Sequence, residues 1–121
     1  MSASTLNDLL AFIYTNEAPN MDQNASALLD AAERYYIPRL KYCCQLYLSY
    51  SLDTTNVIAR LVEADIYSAS YLKNSALHFI AANASEVCKT SSWKDLLRQQ
   101  PHLASEAFER LANTKHHNES K

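Results

Sequence analysis

An all-α fold, a string of short antiparallel helical hairpins, is what the sequence predicts, and three observations carry that expectation. None of the 121 residues is glycine, so the positive-φ turns of a hairpin-rich β fold would fall to asparagine and aspartate alone. Apolar residues recur at helical intervals through most of the chain, the pattern of amphipathic helices. The breaks between these stretches are short and polar, which folds neighbouring helices back on one another.

The first helix is predicted over 5–14, with Ser4 as N-cap and Leu6, Leu9, Leu10, Ile13 and Tyr14 as its apolar face. Residues 15–20 hold Asn16, Pro19 and Asn20, which interrupt helices. A second helix over 22–36 places Leu28, Leu29, Ala31, Ala32, Tyr35 and Tyr36 at helical spacing. Pro38 stops it and opens a third helix over 38–50, because a proline at the first position lacks only an N–H that would have no partner there. Leu40, Cys43, Cys44, Tyr47 and Leu48 are its expected core positions, with Arg39, Lys41 and Gln45 in water. Asp53 or Thr54 can cap a fourth helix with Val57, Ile58, Leu61, Val62 and Ile66 on its stripe. A fifth, over 69–82 and capped by Ser68, carries Leu72, Ala76, Phe79 and Ile80. A helical turn at 86–89 follows, then a helix from Ser92 with Trp93, Leu96 and Leu97, and a last one from Pro101 with Leu103, Ala107, Phe108 and Leu111. Residues 113–121 lack apolar periodicity and are expected to be a disordered tail.

Composition excludes several functions. Without glycine there is no phosphate-cradling loop or dinucleotide fingerprint. A formal charge of −2 and a pI near 6.0 leave no basic footprint for nucleic acid or an anionic membrane. No run approaches the roughly 18 apolar residues of a spanning helix, and no basic segment leads into an apolar signal core, so a nuclear or cytoplasmic setting with reduced thiols is expected. Cys43, Cys44 and Cys88 have neither disulfide nor zinc spacing. His78 and His102 lack a nearby nucleophile or carboxylate in sequence, and His116 and His117 lack a rigid ligand set. No cofactor, metal or catalytic residue is expected. Eight tyrosines are the unusual count; an apolar ring with a polar tip suits a core rim or an interface. Tyr35 and Tyr36 point to different faces, which makes one of them a candidate partner contact.

Phe12-Ile13-Tyr14-Thr15 followed by Ala18-Pro19-Asn20 resembles the second half of a BTB/POZ domain, and the likeness continues through residues 28–35, Arg39-Leu40-Lys41 and Cys44. Residues 64–69, Leu72-Lys73, Ser92-Trp93-Lys94 and Pro101-His102-Leu103 resemble the 3-box and shortened BACK region of the speckle-type POZ (MATH/BTB) family. The resemblance implies residues 1–50 as the helical part of a BTB/POZ-like domain and 51–112 as a 3-box and BACK-like region. It implies a non-enzymatic adaptor of a cullin-3 RING ubiquitin ligase. Cullin-facing candidates are then Tyr14, Tyr35, Leu52, Val57, Leu61, Ala64 and Ile66, and most of the last five are expected to hold their helix onto its neighbours. Self-association candidates are Leu103, Phe108 and Leu111, with burial of Phe108 against Trp93 as the competing expectation. Residues 1–121 show no counterpart of the MATH domain, of the strands and dimer helix of the first BTB half, or of a basic tail, so substrate capture is not expected. Without those strands, the apolar faces of the first three helices are expected to stay exposed, leaving residues before about 50 loosely packed or self-associating. Besides weakened cullin-3 binding, the alternatives are a competitor that joins oligomers of full-length relatives and, from another class, a helical DNA-binding module, against which the charge argues.

Overall fold

Ser2, two residues before the expected cap Ser4, opens the first helix, α1 (Ala3–Thr15): its hydroxyl accepts the Thr5 N–H at 3.1 Å. The computed structural model describes the backbone of residues 1–119 and the side-chain surroundings of residues 1–113. Asn16 ends α1 at φ 62°, donating its N–H to the Phe12 carbonyl at 2.7 Å. Asparagine tolerates this left-handed geometry, where a glycine would otherwise serve.

α2 (Met21–Arg34) stops before Tyr35, and Tyr36 turns the chain at φ 56°. α3 (Pro38–Tyr50) starts on its proline, as the sequence predicts. The Asp53 carboxylate then accepts the N–H groups of Thr55 at 2.9 Å and Asn56 at 2.8 Å, with the Thr55 hydroxyl at 2.6 Å. The Thr55 hydroxyl first, and then the Asn56 N–H, hold that carboxyl below its ordinary value. This turn leads into α4 (Val57–Ile66). Ser68, expected as a cap, instead sits at φ 54° in the turn before α5 (Ser70–Ala82). No side chain of the turn caps α5. Gln45 of α3 does so from a distance, its Oε1 accepting the Leu72 N–H at 3.1 Å. The sequence placed Gln45 in water; this bond explains its burial. α6 (Ala84–Val87), α7 (Ser91–Gln99, capped by Thr90) and α8 (Pro101–Glu119) complete the fold. Of the expected tail, residues 113–119 continue α8, and 120–121 lie outside the described residues.

The described residues contain helices and no strand, the all-α fold that the sequence predicts. Their apolar side chains gather into two cores. The first joins Leu9 and Phe12 of α1, Leu28 and Leu29 of α2, and Leu40, Cys44 and Leu48 of α3 with Ala64, Ala69 and Leu72. The second joins Val57, Ile58 and Leu61 of α4, Ala76, Leu77 and Ile80 of α5, and Val87, Leu96, Leu103, Ala104 and Ala107. α4 and α5 contribute to both, which ties the halves together. The expectation of exposed apolar faces before residue 50 therefore needs correction at α2 and α3, whose Leu28, Leu29 and Leu40 are fully buried. At α1 the exposure is real, on a particular face.

Candidate interaction surfaces

α1 carries two opposed stripes. Thr5, Asp8, Leu9 and Phe12 face inward, while Leu6, Leu10, Ile13 and Tyr14 are exposed. The apolar periodicity had assigned Leu6, Leu10, Ile13 and Tyr14 to the buried side together with Leu9, so four of the five positions are corrected. The physical reason is Asp8, only 1% exposed. Its carboxylate accepts the Asn20 N–H at 3.0 Å, the Asn20 side-chain amide at 3.1 Å and the Asn24 amide at 3.3 Å. Asn24 also donates to the Ser4 hydroxyl at 3.0 Å and accepts from Thr5 at 3.4 Å. A carboxylate satisfied in this way is tolerated in the interior. The start of α2 supplies the donors, and α1 is rotated to meet them.

The last turn of α1 meets the α2–α3 turn around a hollow of about 360 Å³ lined by Phe12, Ile13, Asn16, Tyr36, Ile37 and Pro38. Tyr14, 84% exposed, and Tyr35 are the immediate chain neighbours of Ile13 and Tyr36 at this hollow. Both Tyr35 and Tyr36 are exposed, where the sequence singled out one of the pair. The left-handed turn at Tyr36 ends the helix, so the two rings are not held to opposite helix faces. At the end of α4, Ile66 is 65% exposed despite its place on the apolar stripe, because the helix stops there. Its neighbour Tyr67 packs on the first core beside Asp30, Glu63 and Arg34; burial, then the Asp30 and Glu63 carboxylates, pushes its hydroxyl pKa up.

The remaining cullin-facing candidates lie elsewhere. Val57, Leu61 and Ala64 are fully buried and hold α4 onto its neighbours. Leu52 is half-buried and lines a groove of about 550 Å³ with Tyr71, Asn74, His78, Phe79 and Arg110. Among the self-association candidates, Leu103 is fully buried in the second core and Leu111 is half-buried, whereas Phe108 stands out in solvent at 67% exposure. Trp93 packs on the second core without burying Phe108, which overturns the expected Phe108–Trp93 burial. Tyr42 and Tyr71 meet edge to face, with centroids 6.2 Å apart.

The polar chemistry of these surfaces is structural. His102 does face a carboxylate, one that sequence proximity could not supply: its Nε2 lies 3.1 Å from Asp65 on α4. Lys73 bridges Asp65 at 3.3 Å and Glu106 at 3.1 Å. The His102 contact, then Lys73, holds Asp65 below its ordinary value. Cys44 is buried and its thiol is pushed up to about 12, by burial first and the Cys43 thiol second. An un-ionised thiol is a poor nucleophile. Among the described residues, no three His, Cys, Asp or Glu side chains converge as metal ligands, and no helix is long and apolar enough to cross a membrane.

Residues 1–52 match the BTB/POZ domain. The match ends just beyond α3 and covers the helices that build most of the first core. BTB/POZ domains act as protein–protein interaction modules and mediate oligomerisation. Over 115 residues, 93% of its length, the chain is 40% identical to TD and POZ domain-containing protein 1 of Mus musculus, covering 32% of that protein. It is 42% identical over 108 residues to TD and POZ domain-containing protein 2 of the same organism, covering 88% of this chain and 30% of that one. TD and POZ domain-containing protein 1-like, also from Mus musculus, is 38% identical over 115 residues, 93% of this chain and 32% of that one. The chain spans about a third of the length of these curated relatives. The similarity reaches past the BTB/POZ match and takes in the second core.

Proposed function

We propose that the chain acts as a non-enzymatic interaction module of a cullin-3 RING ubiquitin ligase adaptor. In this reading α1 to α3 are the closing helices of the BTB/POZ fold, and residues 51–112 are its 3-box and BACK-like extension. One observation supports it above the others: Tyr14, Tyr35 and Ile66, three of the positions that the family resemblance turns toward the cullin, are exposed apolar side chains. Exposed aromatic and aliphatic anchors are the material of interface hot spots. Val57, Leu61 and Ala64 act indirectly, by fixing α4.

A pull-down with the N-terminal helical region of cullin-3 at micromolar concentration tests the reading. Enrichment that is lost when Tyr14, Tyr35 and Ile66 are all changed to alanine supports it. No enrichment above a scrambled-sequence control overturns it. A second reading rests on Phe108: an exposed aromatic on α8 suits a chain that joins oligomers of longer relatives. Mixed oligomers with a full-length relative that disappear on Phe108→Glu would support that role, and their absence would remove it.

A further inference from the structure

We propose that the groove along α5 docks a short, extended, acidic segment of a partner protein, with one large apolar side chain against Leu52 and Phe79 and a carboxylate at Arg110. One face of α5 lines the groove: Tyr71, Asn74, Ser75, His78, Phe79 and Ala82 follow one another at intervals of three and one. That spacing keeps residues on one side of a helix. Ser49 of α3 and Leu52 just beyond it line the groove as well, and α8 contributes Arg110. From Tyr71 to Ala82 the face runs about 16 Å, which an extended chain covers in about five residues. Tyr71, Asn74, His78 and Ala82 are all exposed, so this groove of about 550 Å³ is open along α5. An open groove admits a chain segment, whereas small-molecule sites enclose most of their ligand.

Charge and hydrogen bonding select the occupant. No aspartate or glutamate lines the groove, although the chain carries thirteen of them against eleven lysines and arginines. Its basic side chains are Arg110 and His78. The α8 carboxylates Glu106 and Glu109 line the adjoining hollow instead, where Lys73 pairs with Glu106 at 3.1 Å. Arg110 donates to the Asn74 side-chain oxygen at 3.3 Å, and a guanidinium beside apolar walls matches a carboxylate. That bond leaves the amide nitrogen of Asn74 for a ligand. Asn83 is the converse: its amide nitrogen donates to the Phe79 carbonyl at 3.0 Å, and its side-chain oxygen is left. Among the described residues nothing else occupies either amide. A donor toward one end of α5 and an acceptor at the other serve the C=O and N–H groups of an extended segment, which a helix would satisfy internally. Tyr14, Tyr35 and Ile66 do not line the groove, so the site is additional to the cullin reading; of that reading's candidates, it shares Leu52 alone.

Panning a phage-displayed random heptapeptide library against the full chain tests the site, followed by fluorescence polarisation of the best synthetic peptide and circular dichroism as the check on folding. The expected selection is of peptides with an aspartate or glutamate and one large apolar residue. Their binding should weaken at least about tenfold on Arg110→Met, and as much on Ala82→Trp, which fills the groove without altering its charge. Leu97→Ser, at an exposed apolar position on α7, should leave it in place. Changing the peptide's acidic residue to its amide should reproduce the Arg110→Met loss. No selection, a selection of basic or purely apolar peptides, or acidic peptides that bind both groove variants as tightly as the parent would each overturn the proposal. So would displacement of the selected peptide by the N-terminal helical region of cullin-3, because the groove would then belong to the cullin surface.

Discussion

The first core takes four polar side chains into its interior, Thr5, Asp8, Asn24 and Gln45, while the buried described residues of the second core are apolar. The second keeps its polar ties outside, in the Asp65, Lys73, Glu106 and His102 cluster that links α4, α5 and α8. The difference separates two tasks. Apolar burial stabilises helices against one another with little preference for rotation, whereas a buried carboxylate with directed donors permits one rotation only. In α1 that rotation decides which stripe meets water. The buried side chains that α4, α5, α7 and α8 give to the second core include no such device.

Removing Leu61 is the largest expected perturbation and acts on the second core. Leu61→Ala leaves a cavity in a fully buried site and should cost about 3 kcal/mol in a urea titration. Asp8→Ala probes the other kind of core. It strands the Asn20 and Asn24 donors and should cost about 2 kcal/mol. It should also make α1 the first element to lose amide protection in hydrogen exchange. A loss of protection spread evenly over both cores would show that Asp8 has no special hold on α1. Gln45→Ala, which leaves the Leu72 N–H buried without its acceptor, should cost about 1 kcal/mol.

Asp65→Asn should have the smallest effect, about 0.5 kcal/mol, because its ion pairs are partly exposed and screened by water. Its pH dependence has a definite sign. The folded carboxyl titrates below the 3.8 of the free side chain. Its contribution is therefore present above that value and is lost as pH falls through the lower folded one. The stability difference between Asp65→Asn and the parent chain should shrink on acidification below about pH 4. A difference that grows with acidification would contradict the ion-pair assignment.

The order of the helices was legible in the sequence because local signals dominate it: Pro38 and Pro101 at first positions, and polar breaks between apolar stripes. The rotation of α1 was not. Its outward stripe is more apolar than its inward one, and the donors that draw Asp8 inside lie 12 and 16 residues away. Gln45 was missed for the same reason, with its partner 27 residues distant. Tyr14 and Phe108 could be named from the family resemblance, but only the fold could separate them from Val57, Leu61, Ala64 and Leu103, which share similar apolar spacing and are buried.

The outward orientation of the apolar stripe on α1 is most directly tested by comparing adjacent substitutions, Leu9→Glu and Leu10→Glu, in dilute solution where copies stay apart. The orientation described here predicts that Leu10→Glu leaves the urea midpoint nearly unchanged, while Leu9→Glu, which forces a charge into the first core, lowers it sharply. Equal destabilisation by both, or a larger loss from Leu10→Glu, would contradict it.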